Sequence, residues 1–195
     1  MVMPKPVVDK NAKAIELIRK YAPAFTVENK ADNKLQRLIG KLMFFNKGYM
    51  TNFYTTFGYT TYRPIGAAGE PWEWETLLHE GRHAIQAKKF TPALMGLLYL
   101  LPFLPLPAIF RAWFEFQAYC VTMTVAYLKN PSDVNDWYIE NQLVPYFTGP
   151  EYAWMFPFKR LVKRAFKGFH DKLKSGEAFK DPYLNDIKAL MGKGE

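Results

Sequence analysis

The residues best suited to chemistry lie in one short string, His79-Glu80-Gly81-Arg82-His83. Two histidines four positions apart are separated by about 40° around a helix axis, so both imidazoles can reach one cation. Zinc accepts neutral imidazole nitrogen readily, and the intervening Glu80 can then act on water rather than on the metal. The string predicts a metal site on a helix. The alternative is that His79 and His83 are core-edge histidines held by backbone carbonyls.

A catalytic zinc site needs a third protein ligand and an open fourth position. Glu115 is the candidate, because it stands among apolar residues on the next long predicted helix. A carboxylate in such surroundings is costly to bury unless it is exposed, ion-paired or metal-bound. An ion pair with Arg111, one turn earlier, is the alternative to metal binding. Ala118, one turn later, is small enough to let this helix approach the helix of the histidines.

An H-E-x-x-H string followed by the E-x-x-A string Glu115–Ala118 resembles the gluzincin branch of zinc metallopeptidases. The threonine-rich and aromatic run before the first string is similar to the edge strand beside the active-site helix of zincins. The longer strings, 79–86 and 115–119, resemble small H-E-x-x-H-x-x-Q proteins of bacteria, phages and contractile injection particles. The resemblance covers about residues 50–128 and leaves both basic ends outside it.

The resemblance implies a zinc metallopeptidase acting on a peptide or protein substrate. His79, His83 and Glu115 would be the Zn²⁺ ligands, and Glu80 the general base that takes a proton from the metal-bound water. The metal would lower the pKa of that water to about 7 and polarise the scissile carbonyl. Glu80 would then pass the proton to the departing amine.

The resemblance also implies an oxyanion donor beyond the third ligand, for which Tyr119 and His170 are the candidates. One departure is that Ala118 is followed by Tyr119, where the strongest family pattern has an aspartate. The carboxylate that would orient one of the histidines is therefore unassigned. The alternative function is a structural subunit of a phage or injection-type particle that retains a zincin-like, inactive metal site, with other subunits of that particle as its partners.

The elements that must position these residues are mostly helical. The patterns predict an α+β, mostly α fold with a minimal zincin-like core, in which a short edge strand or hairpin, the H-E-x-x-H helix and the glutamate helix are surrounded by helices from both ends. Residues 49–62 are the only good strand candidate, as two short strands or one bulged strand around Gly58. Asp9 or Asn11 is expected to cap the first helix, and Ser132 the helix after the long one. The predicted helices cover about residues 9–22, 32–45, 70–89, 108–128, 133–144, 156–174 and 182–191.

Composition and charge divide the chain into three predicted segments. A chain of 195 residues with 49% hydrophobic residues can bury one full core, so intrinsic disorder is excluded for most of its length. A single cysteine excludes an internal disulfide framework. The net charge of +8 is concentrated at both ends. We expect an N-terminal helical basic segment at 1–48, a zincin-like metal-binding core at 49–130 and a C-terminal basic helical segment at 131–195.

The basic ends suit nucleic acid, an anionic membrane or an acidic protein, and they also serve plain solubility. Residues 90–110 carry no charge, but prolines interrupt them, so a buried or interfacial hairpin is expected rather than a membrane span. This hairpin and the basic helix at 156–174 are the candidate contacts with a membrane surface. No motif supports nucleic acid. No secretory signal is visible in the first twenty residues, which predicts a cytoplasmic or particle-associated protein.

Overall fold

The computed structural model describes residues 7–42, 48–91, 93–95, 105–149 and 155–192. The protein is mostly α-helical with one small three-stranded sheet, which confirms the predicted α+β, mostly α class. The chain forms two compact units, Met1–Met95 and Gly96–Glu195. The division into three segments at 1–48, 49–130 and 131–195 stays a prediction.

The first unit contains the helices α1 (Val7–Tyr21), α2 (Lys34–Leu42) and α3 (Glu73–Phe90). Helix α1 packs against α3, with small and branched apolar side chains buried along it. It begins upstream of Asp9 and Asn11, so the prediction that one of them caps it is wrong. The Asn11 side chain instead donates a hydrogen bond of 2.7 Å to the Glu73 carboxylate at the start of α3.

The sheet of the first unit has three strands, β1 (Thr26–Asn29), β2 (Thr55–Phe57) and β3 (Thr60–Arg63). Strand β3 is central, pairing parallel with β1 and antiparallel with β2. The two-strand reading of residues 49–62 is confirmed, and Gly58 adopts the left-handed φ of 62° in the tight turn between them. Strand β1 lies outside this segment, which was the only good strand candidate in the sequence, and it was not anticipated. The backbone of β1 pairs with β3, which lies more than thirty residues further along the chain.

A buried carboxylate anchors the start of α3. The Glu73 side chain accepts a hydrogen bond of 2.9 Å from the Gly69 backbone N–H and lies 3.2 Å from the Arg63 guanidinium. Negative charge at this position also complements the positive end of the helix dipole. Strand β3, which carries Arg63, and helix α3 are therefore tied together by this ion pair.

Among its described residues, the second unit forms helices joined by turns and short irregular segments, and no strand. Its longest helix, α4 (Pro105–Lys129), begins three residues before the predicted start. The prediction that Ser132 caps the next helix is wrong, because Asn135 accepts the hydrogen bond of 3.0 Å from the Tyr138 backbone N–H. The other segments are a 3-10 turn (Pro131–Asp133), α5 (Asp136–Tyr138), a π turn (Ile139–Leu143), α6 (Val144–Thr148), α7 (Lys159–Lys174), a 3-10 turn (Glu177–Lys180) and α8 (Pro182–Gly192).

The apolar hairpin expected at residues 90–110 falls largely on residue 92 and residues 96–104, which lie outside the described residues. Within the described ranges, no helix has both the length and the hydropathy that crossing a membrane requires.

Candidate metal centre

Helix α3 presents the two histidines of the H-E-x-x-H string side by side. The ring centroids of His79 and His83 are 5.4 Å apart, with 71° between the ring planes. His79 is half-buried and His83 is buried. Spacing by four residues produces this arrangement, since it returns the chain to nearly the same side of the helix. The first unit thus supplies two imidazoles that can reach a common point.

Gln86 orients one of these rings. The Gln86 Oε1 atom lies 2.9 Å from His83 Nδ1, and both side chains are buried. An amide oxygen only accepts hydrogen bonds, so this contact places the proton on Nδ1 and leaves the lone pair on Nε2. The sequence string contained Gln86, but its role was missed. The spacing of three residues after His83 was the signal that could have revealed it.

Glu115, the third predicted ligand, lies on α4, and with His79 and His83 it forms a group of side chains that could hold a metal ion. One ligand atom from each of His79, His83 and Glu115 lies within 4.8 Å of the other two. Donor atoms bound at about 2.1 Å to one tetrahedral ion are roughly 3.4 Å apart, which is shorter than the 4.8 Å within which these three atoms lie. Glu115 is only 2% exposed, which makes a compensating partner for its carboxylate necessary. Arg111, the alternative partner, lies one turn earlier on α4 and is half-buried.

Glu80 does not belong to this group of donor atoms, although it stands between the histidines in sequence. Its Oε2 atom accepts a hydrogen bond of 2.6 Å from the Thr56 hydroxyl of β2. The Thr56 oxygen lies 2.6 Å from the Thr61 hydroxyl of β3. Because the Thr56 hydroxyl donates its single proton to Glu80, the Thr61 hydroxyl is the donor in the bond between the two threonines. The sheet therefore holds the carboxylate through two threonines, a role that the sequence did not reveal.

A buried cation lies in the same unit as Glu80. Lys30 is fully buried, and its ammonium donates hydrogen bonds of 2.7 Å to the Tyr49 carbonyl and 2.8 Å to the Phe53 carbonyl. The ammonium also lies 3.8 Å from the centroid of the Tyr49 ring, which adds a cation–π contact. Burial lowers the pKa of Lys30 to about 8, and the negative charge of Glu80 opposes this shift. Sequence reasoning did not identify Lys30, since one lysine among many carries no pattern.

The two candidate oxyanion donors lie on helices of the second unit. Tyr119 is buried, and its ring stacks on Tyr146 with the centroids 5.1 Å apart. His170 is also buried, 6.1 Å from the Tyr127 ring centroid, and its Nε2 atom has no hydrogen-bond partner. Burial lowers the pKa of His170, with a smaller contribution of the same sign from the positive charge of Lys174. Their role as oxyanion donors stays a prediction.

Tyr54, the residue before β2, has a buried hydroxyl without a hydrogen-bond partner. Its ring makes an edge contact with Trp72 at a centroid distance of 6.2 Å. Burial raises the pKa of Tyr54, and the negative charges of Glu73 and Glu80 raise it further, so the group stays a neutral phenol. A neutral phenol can donate a hydrogen bond, and its position beside the strand that holds Glu80 was not anticipated from the sequence.

Comparison of the chain with protein-family models, with curated proteins and with solved structures finds no match in any of the three. The likeness to gluzincins therefore rests on the sequence strings alone.

Proposed function

We propose that this protein is a zinc-dependent hydrolase that cleaves peptide bonds. The observation that carries the proposal is the convergence of donor atoms from His79, His83 and Glu115, with Glu80 held outside that group by the sheet. Two imidazoles and one carboxylate are a donor set that zinc prefers, and catalytic zinc sites use three protein ligands of these types. The orientation of His83 by Gln86 supports the same reading, because zinc-bound histidines usually donate their other N–H to an oxygen.

In the proposed reaction, the metal and the residues around it have separate roles. When bound, zinc would supply a Lewis acid that polarises the scissile carbonyl and acidifies water. Glu80 accepts a proton from the attacking water and returns it to the departing amine. The hydrogen bond from Thr56 fixes the direction in which the carboxylate points, so that this base does not become a fourth ligand. For the oxyanion donor, the proposal retains Tyr119 and His170.

Metal analysis of the purified chain, together with a Glu80→Gln variant, tests the proposal. We expect about one zinc per chain in both proteins, because the amide replaces a group outside the ligand set. Hydrolysis of a quenched fluorescent peptide library should fall by about a hundredfold or more in the variant, as the loss of a general base predicts. Glu16→Gln, the same change at an exposed carboxylate of α1, is the matched control and should hydrolyse as the parent does.

Three outcomes would count against the proposal. A chain that binds no zinc from micromolar solution has no metal centre at these residues. Equal hydrolysis by the parent and Glu80→Gln would assign the activity to another site or to a contaminant. Full zinc occupancy without turnover in the parent would instead favour the structural particle subunit, particularly if the chain assembles into large complexes.

Separate variants assign the oxyanion donor. If Tyr119 or His170 stabilises the developing negative charge, Tyr119→Phe or His170→Leu should lower kcat while KM stays unchanged. Zinc content should remain that of the parent in both variants.

A further inference from the structure

Helix α2 turns its apolar side outward. Helices on the surface of a soluble protein normally bury their apolar stripe and expose their polar one. In α2, however, Leu35 and Leu38 are 52% and 54% exposed. Gln36 is buried instead and accepts a hydrogen bond of 2.6 Å from the Tyr49 hydroxyl. The helix is thus attached to its unit through a polar side chain.

Gly40 lies on the attached side of α2, four residues after Gln36. A Cβ atom at Gly40 would lie 2.8 Å from the Met50 sulfur, so the helix backbone rests directly on that side chain. Rotating α2 to bury its leucines would break both this contact and the bond between Tyr49 and Gln36. The outward direction of the leucines is therefore fixed by packing.

The exposed side of α2 is also uniformly positive. Lys34, Arg37 and Lys41 are exposed and, with Leu38, they line a shallow surface depression. The helix contains no acidic residue. Cations and leucines therefore share one face, which we call the α2 face and define as Lys34, Leu35, Arg37, Leu38 and Lys41.

We propose that the α2 face binds an anionic lipid surface. A helix lying in the plane of a membrane inserts its leucines at the boundary of the acyl chains, while its lysines and arginines pair with lipid phosphates. A second copy of the chain fits less well, because it would bring three cations against three cations. A nucleic acid would use the cations but leave both leucines in water. The proposal is independent of the metal centre, which it does not involve.

Vesicle flotation with the full chain tests this surface. We expect the chain to float with vesicles of phosphatidylcholine and phosphatidylserine, and to remain in solution with phosphatidylcholine alone. Neutralising one cation, as in Arg37→Gln, should weaken binding about fivefold, since each basic residue near such a surface contributes about that factor. Leu35→Gln together with Leu38→Gln should weaken binding by about tenfold or more. Added salt should release the parent protein.

The matched control is Phe158→Gln with Leu161→Gln, which removes an exposed apolar pair, 59% and 56% exposed, from the start of α7, the helix that the sequence made another candidate contact with a membrane. This control should bind vesicles as the parent does. The proposal is overturned if the variant with Leu35→Gln and Leu38→Gln floats with vesicles as the parent does. It is equally overturned if only the α7 variant loses vesicle binding. It is also overturned if the leucines drive concentration-dependent dimerisation in sedimentation velocity without vesicle binding, or if the parent prefers a single-stranded oligonucleotide to vesicles. If the variant with Leu35→Gln and Leu38→Gln does not fold, Arg37→Gln and the salt titration decide whether the α2 face binds vesicles.

Discussion

The buried ammonium of Lys30 makes the stability of the first unit depend on pH in a direction that can be worked out. The lysine is fully buried among the carbonyls of Tyr49 and Phe53, and burial lowers its pKa from 10.5 to about 8. The unfolded chain therefore binds more protons than the folded chain at pH values between these two pKa values. Unfolding free energy rises with pH wherever the unfolded state binds more protons, so the protein should become more stable from pH 8 to 10.5.

The magnitude follows from the same two pKa values. A difference of about 2.5 pKa units corresponds to roughly 3 kcal/mol when the whole range is crossed. Between pH 7.5 and 10, the linkage relation gives a rise of about 2 kcal/mol from Lys30 alone. This is a large fraction of the 5 to 15 kcal/mol by which natural domains are typically stable.

Urea unfolding followed by circular dichroism at pH 7.5 and pH 10 measures the effect. Lys30→Met is the comparison, because methionine has a similar length and no titratable group. Other lysines and tyrosines titrate in both proteins, so the difference between the two pH dependences isolates Lys30. We expect the parent to gain about 2 kcal/mol relative to Lys30→Met between these pH values. Equal pH dependence in the two proteins would refute the reasoning, whatever their absolute stabilities.

Three further changes probe the site and its supports. Gln86→Leu removes the acceptor for His83 Nδ1, so zinc affinity in a competitive chelator titration should fall by about 10- to 100-fold, and an unchanged affinity would contradict the orienting role. Glu73→Gln leaves Arg63 without its countercharge and should cost about 3 kcal/mol in urea unfolding, while a cost under about 1 kcal/mol would show that the ion pair contributes little. His170 has a lowered folded pKa, so the protein should lose stability as pH falls below 6.5, and this loss should be absent in His170→Leu.

The helices could be predicted because their signals are local. Helix α3 has an acidic first turn and ends at Phe90, shortly before Pro92 in the sequence. The spacing of its two histidines already places both rings on one side of the helix. The hairpin of β2 and β3 was equally visible in the threonine-rich run and in Gly58. These features depend on residues close to one another in sequence, for which periodicity and turn chemistry are sufficient.

Strand β1 could not be predicted, because nothing within it specifies a strand. Its four residues, Thr26–Asn29, are exposed or half-buried and show no apolar alternation. Its pairing with β3 is parallel and joins Thr26 to Thr60, a partner far along the chain. The capping errors also involve tertiary or competing contacts, since Asn11 bonds the distant Glu73 from within α1, and Asn135 rather than Ser132 accepts the Tyr138 N–H. Tertiary context decides such competitions.

In the candidate site too, residues identified by local sequence patterns were predicted, and contacts that depend on the folded sheet were not. His79 and His83 follow from spacing, and Glu115 follows from the cost of placing a carboxylate among apolar residues. Thr56 and Lys30 belong to the strand-bearing part of the first unit, and their relation to Glu80 exists only once the sheet is folded. The sequence therefore indicated the candidate ligands more readily than the groups that hold the Glu80 carboxylate.

The proposed function makes Glu80 a base and not a ligand, and the position of its side chain supports that assignment. Its Oε2 atom is bound by the Thr56 hydroxyl, so turning that oxygen toward a metal would break a hydrogen bond of 2.6 Å and leave the Thr56–Thr61 pair without its acceptor. Hydrogen bonds to a charged acceptor are among the stronger ones in proteins. The negative charge of Glu80 attracts the Lys30 ammonium and so opposes the lowering of the Lys30 pKa by burial. A carboxylate that the sheet holds in place, on the same helix as the two histidines, has the orientation that proton abstraction from water requires.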